Sequence, residues 1–515
     1  MDKETKSFQQ QGRVLFLFSP KFQEFGADVA GELVSRKVCR IVDGICTGGD
    51  SVVDRVKKRL DMSAGQLWNL EAEELRWVDQ SADIRILRKM EDELGQGVVG
   101  RTITSDRRIG YGLVSGGWVR PSWISRHAAM KPVTVPVNYV AGLYIFLDEV
   151  IRHGKPRLVF LYGVAGAPAF LLGQMCMARN IPILRLVSSR VEARMIIDND
   201  PIGRFVCIKN AMARECSGLL DLTHERRWAR EYLESFRKQP SQPEYYKYNI
   251  TIRKEREPVC QFLRAVKSSI LLLSPHKIIN DPYHMDRIHR AWFQVFIAFR
   301  RATIAKKYFT HMVPGNFRWI YFPLQFEPEA STMVLSPWHT NQFAVIEVLA
   351  KALPADCILI VKEHASMLGS RPREFYRKIA SIPRVVLVDN ERPGLWWIQQ
   401  SSVTVVISGT SAWEAVRFGK PVVVIGDTPF LAIGEGMVHE PCLSNLSAAF
   451  REAMEQLPAS DESLERFLAA LRASSFEMKP SLLWGEYSNH TDEEQINAVQ
   501  NVCDGIMERL EESIN

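Results

Sequence analysis

The chain of 515 residues carries a formal charge of +6, with 46% hydrophobic and 24% charged residues. Those proportions belong to a soluble globular protein of about two or three domains, and they exclude a disordered or fibrous chain. The charge is too small to argue for a nucleic-acid partner, and it suits an anionic substrate or a contact with an anionic membrane surface. Nine cysteines lie scattered without a C-x-x-C pair, the pattern of reduced thiols in a cytoplasmic protein. The polar opening MDKETKSFQQQGR does not read as a signal peptide. No apolar run reaches the ~18 residues that span a bilayer, so any membrane contact is expected from the surface.

In chain order, Arg13 to Phe18 reads as a buried strand, broken by Ser19-Pro20 and followed by helical spacing from Phe22 to Val38. Strand, loop and helix open an α/β domain, with Lys21 and Gln23 in the loop after the first strand. Residues 40 to 137 have weak periodicity: a helix is expected over Val52 to Leu60, and loops with short strands over Gly95 to Trp118. Regular pattern returns with a helix at Tyr139 to Ile151 and a strand at Leu158 to Tyr162. A Gly163 to Gly166 loop, a helix at Ala169 to Arg179 and a strand at Ile181 to Val187 complete a second βαβ unit. From Asp198 to about Met312 the chain reads as mainly helical. Within it, Asp286 to Lys307 joins an apolar face to clustered bases, as in a packed amphipathic helix with a solvated basic side or a membrane-surface helix. His276, His284 and His289 have no metal-ligand spacing.

A second α/β domain is expected from Arg318. Its strands are Arg318 to Pro323, Cys357 to Lys362 and Val385 to Val388, with helices at Asn341 to Ala352, Phe375 to Ile382 and Gly394 to Gln400. Val403 to Phe430 then forms a compact βαβ unit: a strand to Ile407, the turn Ser408-Gly409-Thr410-Ser411, a helix to Phe418, and a strand at Val422 to Ile425. Gly419 and Pro421 stop the helix. The small-residue turn offers backbone N–H groups at a helix N-terminus, which suits phosphate. Ser411-x-x-Glu414 also fits a capping box, in which the two side chains satisfy each other's backbone donors. The tail from Asn445 to Asn515 is helical and charged, with Thr491 to Glu512 expected to pack back on the body.

Two such domains leave a cleft suited to a nucleotide-linked substrate. Three strand-end loops of the second carry polar groups that share one rim if its sheet is parallel. They are Gln325 to Thr332, Lys362-Glu363-His364, and Ser408, Gly409, Thr410 and Ser411 with Glu414. Lys362 and His364 suit a phosphate leaving group, or His364 a proton shuttle, and Glu327 or Glu329 can accept a proton from an attacking hydroxyl. No nucleophile triad, metal cluster or P-loop is present in the sequence.

The runs Tyr321-Phe322-Pro323-Leu324-Gln325, Pro328-Glu329-Ala330, Val361-Lys362-Glu363-His364 and Ser408-Gly409-Thr410-Ser411-Ala412-Trp413-Glu414-Ala415, with Gly419-Lys420-Pro421, resemble bacterial capsule and surface-polysaccharide biosynthesis proteins. These are similar to the β-Kdo transferase group, of GT-B glycosyltransferase fold. The resemblance implies two Rossmann-like domains facing a cleft, with a helical middle segment and tail. It implies sugar transfer from a nucleotide donor, such as a CMP-linked acidic sugar, to a glycan or lipid-linked acceptor, without a metal or other cofactor. Where the family has proline after its histidine, this chain has Ala365. In place of the aspartate that serves those transferases as base, it offers Glu327 and Glu329. Four regions are expected: 1–200 (acceptor side), helical 201–314, 315–440 (nucleotide sugar) and helical 441–515. Two rivals share the architecture: a sugar-nucleotide epimerase or hydrolase, and a non-catalytic glycan-assembly binding protein.

Overall fold

The computed structural model describes residues 12–113, 122–200, 202–240, 258–272, 282–310, 313–388, 391–483 and 487–512. His276, the polar opening up to residue 11, and the end of the Gly95 to Trp118 stretch lie outside them. The chain forms two compact units. One takes residues 1–103, 133–225 and 469–515, and the other residues 104–132 and 226–468.

The first unit is built on strands β1 (Arg13–Phe18), β2 (Ile41–Cys46), β3 (Ala64–Asn69), β4 (Leu158–Tyr162), β5 (Ile183–Ser188) and β6 (Arg194–Asp198). The order runs β6-β5-β4-β1-β2-β3, with a short Phe476–Glu477 strand added beyond β6. β1 to β5 are parallel, and β6 returns antiparallel to β5. Helix α1 (Gln23–Ser35) covers the sheet and buries Phe25, Val29 and Leu33. The C-terminal helix Asp492–Glu512 enters the same core through Val502, Cys503 and Ile506.

Two readings in this unit are corrected. Val98–Ser105, expected among loops and short strands, is a helix. Its β-branched residues favour strand locally, but Val98, Thr102 and Thr104 are buried and tertiary packing decides. β2 and β3 escaped notice because Asp43 and Gly44 interrupt the apolar run of β2. Asp43 is nonetheless buried, held by Arg13 Nε at 2.7 Å and the Gln66 amide at 2.8 Å.

The second unit carries a six-stranded sheet of β7 (Arg318–Pro323), β8 (Cys357–Lys362), β9 (Val385–Val388), β10 (Val403–Val406), β11 (Val422–Val424) and β12 (Met437–His439). The order β12-β11-β10-β7-β8-β9 is parallel throughout. These strands are nearly continuous Val/Ile/Leu runs because helices cover both faces. Ile320, Leu359, Val361 and Val405 pack with Ile346, Phe375 and Phe450 in one core. The fold class is therefore as expected: α/β, with two Rossmann-like units.

The helical segments of the middle region include α2 (Pro258–Leu272) and α3 (Pro282–Tyr308), which pack on each other within the second unit. α3 sends Ile304 into the core just described and lies along the loop after β8. Arg300 donates to the Arg371 carbonyl, and Arg301 Nε to that of Leu368 at 3.2 Å. Gly369, at φ 89°, lets the loop backbone approach the helix. Among the described residues no helix is long and apolar enough to cross a membrane.

Candidate functional site

In the second unit the strand order reverses between β7 and β10, which leaves a crevice beyond their carboxyl ends. The three polar loops picked from the sequence follow β7, β8 and β10, so the parallel sheet puts them on one rim. Gln325 ties the first loop to the third. With its carboxamide oxygen turned to the Ser408-Gly409 turn, that oxygen accepts from Ser408 N at 2.8 Å and Gly409 N at 2.9 Å. The Ser408 hydroxyl donates to the Ser331 carbonyl. The N–H groups of Ser408 and Gly409, expected to face a phosphate, are thus used inside the protein. Gln325 holds the turn in shape through these two amides.

The Gln325 backbone is fixed in turn. Gln342, at the start of helix α4 (Gln342–Ala352), accepts from Gln325 N at 2.8 Å and donates to Gln325 O at 3.2 Å. The same amide donates to Glu327 Oε1 at 2.5 Å. Glu327 Oε2 is ion-paired with Arg371, and both side chains are almost fully buried. Arg371 also donates from Nε to Glu363 Oε2 at 2.9 Å and from a terminal nitrogen to Gln325 O at 2.7 Å.

Tyr376, on helix α5 (Arg373–Ala380), completes the group with an O–H bond to Glu363 Oε2 at 2.8 Å. The other Glu363 oxygen accepts from the His364 amide at 2.7 Å. Burial alone would depress the Arg371 guanidinium, but the carboxylates of Glu327 and Glu363 outweigh it and hold its pKa above the ordinary range. Burial and Glu363 keep the Tyr376 phenol well above its usual value. A buried, fully bonded cation between two carboxylates locks the β7 and β8 loops together. Arg371, Gln342 and Tyr376 were not found by sequence reasoning, since a single arginine in a loop carries no local signal of burial.

The remaining residues of the rim differ in environment. Glu329 is exposed, and Ser331 donates to its Oε2 at 2.8 Å. Lys362 is buried at the end of β8. His364 keeps part of its surface open, with its ring edge-on to Phe326 at 5.7 Å. Burial, Arg371 and Lys362 together push its pKa down to about 4. Its Nδ1 accepts from the Ser366 amide at 3.3 Å, so the neutral ring carries its proton on Nε2.

The capping box is not formed. Helix α6 (Ser411–Arg417) begins at Ser411 itself, and Thr410 at the N-cap makes no side-chain cap. Glu414 is instead a buried carboxyl, pushed up to about 7 by burial, against opposing effects from Arg417 and the Ser411 hydroxyl. The Arg417 guanidinium lies 3.6 Å over the Phe236 ring and donates to Tyr232 Oη at 2.9 Å. Trp413 stacks on Phe430 at 5.7 Å. Both contacts anchor α6 from behind.

The family model of the capsule polysaccharide biosynthesis protein matches residues 219–456. Among solved structures, the chain is similar to the Thermosulfurimonas dismutans KpsC beta Kdo 2,7 transferase at 11% identity, covering 63% of this chain and 79% of that one, with a TM-score of 0.34. The beta Kdo 2,4 transferase of the same organism's KpsC gives 12% identity, 64% and 83% coverage, and a TM-score of 0.35. The UDP-GlcNAc 2-epimerase from Neisseria meningitidis gives 12% identity, 90% and 99% coverage, and a TM-score of 0.24. No curated protein matches the chain. The resemblance read from the motifs is borne out: from residue 219 to residue 456, with all three loops of the rim, this chain carries the pattern of the capsule polysaccharide biosynthesis proteins.

Proposed function

We propose that the chain transfers a sugar from a nucleotide donor to a glycan or lipid-linked acceptor during synthesis of a surface polysaccharide. The observation that carries this reading is the convergence of the β7, β8 and β10 loops at the switch point of one parallel sheet, inside the segment that matches the capsule family. Such a crevice suits a nucleotide-linked ligand. In this reading Lys362 supplies positive charge to the departing phosphate. His364, neutral at working pH, donates a hydrogen bond from Nε2 to the same group. Thr410 and Ser411 contribute hydroxyls at the turn, whose shape Gln325 maintains through Ser408 and Gly409.

Glu329 is the base that takes the acceptor proton. It is exposed, whereas Glu327 is committed to Arg371 and Gln342 and acts as a positioning group. A CMP-linked acidic sugar is the donor class we favour, since the family resemblance points to Kdo-like transfer and Lys362 stands at the β8 end of the rim. The acceptor would be met on the cytoplasmic side.

Thermal-shift titration with CMP, UDP, GDP and dTDP, followed by donor turnover with and without acceptor glycan, tests the proposal. A selective CMP shift that is lost in Lys362→Ala, with donor consumed only when acceptor is present, is expected. Consumption of donor without acceptor would transfer the chain to the epimerase or hydrolase class. An intact fold that shifts with no nucleotide would make it a binding protein.

A further inference from the structure

Helices α2 and α3 present a surface that neither the second unit's core nor the rim uses. On α2, Val259, Leu263 and Ile270 are 68%, 62% and 69% exposed. Their spacing puts them on one helical face, with Phe262 beside them. On α3, Trp292, Phe296 and Phe299 recur at i, i+4 and i+7, again one face, and all three are exposed. Phe262 meets Trp292 edge-on at 5.7 Å, and the Trp292 indole donates to Ser269 Oγ at 3.1 Å, so the two stripes join at the helix seam. The result is one apolar patch with aromatic side chains at its centre, where the other exposed apolar residues among the described ones are mostly scattered singly.

The charges on this hairpin have one sign. Exposed Arg264, Lys267, Arg290 and Lys307 flank the patch. The two helices contain a single acidic residue, Asp286, and it is buried, paired with Arg126 at 2.9 Å. An apolar, Trp- and Phe-bearing surface that carries exposed bases, on two helices whose described residues expose no acid, has the chemistry of a helix that lies in the headgroup region of an anionic bilayer.

We propose that the α2–α3 hairpin is a membrane-docking surface that takes anionic phospholipid headgroups, with Phe296, Phe299 and Leu263 entering the acyl boundary. The inner face of α3 grips the Leu368 to Arg371 loop through Arg300 and Arg301, so the docked face and the loop bearing His364 and Arg371 belong to one packed element. The surface does not depend on the transferase reading, because binding to lipid is measured with neither donor nor acceptor.

The test is flotation of the full chain with vesicles of phosphatidylcholine alone, and with phosphatidylglycerol making up about a third of the lipid. Wild type is expected to float with the anionic vesicles only, and to be released by salt. Phe296→Ser/Phe299→Ser should weaken binding at least tenfold. Arg264→Glu/Lys267→Glu should do the same, since each cation near such a surface is worth about fivefold in partitioning. All four positions are outside the core, and an unchanged melting temperature verifies the fold of each variant. Equal flotation with neutral vesicles, or undiminished binding by both variants, overturns the proposal. Self-association that disappears in Phe296→Ser/Phe299→Ser, without lipid binding by wild type, would overturn it in favour of a second copy of the chain.

Discussion

A methyl group added at Gly369 would stand 2.6 Å from the carbonyl oxygen of Ile297 and 3.0 Å from the Arg301 amide nitrogen. Both neighbours are helical backbone, which cannot step aside as a flexible side chain does. The glycine also sits at φ 89°, a region that L-residues rarely adopt. Gly369→Ala should therefore cost about 2 kcal/mol or more. It should also weaken donor binding, because the same loop carries His364 and Arg371. Thermal melts and nucleotide titrations read both effects, and a variant with wild-type values for each would show that helix and loop are not rigidly joined.

Arg371 holds two buried carboxylates, and removing it leaves both uncompensated. Arg371→Met is expected to lose about 3–5 kcal/mol of stability. Glu327→Gln should lower the melting temperature as well, while Glu329→Gln should leave it unchanged and remove turnover. The contrast separates a positioning carboxylate from a base. Equal turnover loss with no stability difference between the two glutamates would contradict it.

Gln325 acts on the β10 turn through an acceptor oxygen. Gln325→Glu keeps an acceptor for the Ser408 and Gly409 amides, whereas Gln325→Ala leaves both without one. Each unsatisfied buried donor costs about 1–3 kcal/mol. Hydrogen exchange at the Ser408 and Gly409 amides should accelerate strongly in the alanine variant and less in the glutamate variant. Identical exchange in the two would indicate that the turn holds itself.

Stability should depend on pH through two groups of opposite sign. His364, depressed to about 4, takes up its proton in the unfolded chain before the folded one. Folding therefore weakens as pH falls from about 6.5 towards 4, and His364→Asn should flatten that loss. Glu414, raised to about 7, keeps its proton longer in the folded state than in the unfolded chain. Its contribution is present below about 4.3 and lost as pH rises through 7, so Glu414→Gln should gain stability relative to wild type at pH 8 but not at pH 4. Chemical denaturation at three pH values measures both slopes.

Much of the second unit was legible because its strands are uninterrupted apolar runs. Cys357–Lys362 and Val385–Val388 fall where the pattern puts them, and Gly419 adopts the left-handed φ of 65° that its place after a helix requires. The membership of the rim was legible too, since loops after parallel strands share an end. Its internal wiring was not. Ser411 and Glu414 satisfy the spacing of a capping box, but the helix starts one residue earlier than that motif needs, and burial turns Glu414 inward. Arg371 lies in a loop between Gly369 and an α-helix, where only tertiary packing shows that it is the centre of the polar network. In the first unit, Asp43 and Gly44 hid a strand whose polar residue is neutralised by Arg13, distant in sequence.

The return of the last helix to the first unit bears on how the protein is made. Val499, Val502, Cys503 and Ile506 belong to the same core as Phe16, Phe25 and Leu33. Those early residues leave the ribosome long before their partners exist, while the entire second unit is being synthesised. During that interval the side of α1 that packs on the Asp492–Glu512 helix stays uncovered, a state prone to capture by chaperones and to aggregation. A truncation shortly before Asp492 would thus do its damage in the core around Phe16, Phe25 and Leu33.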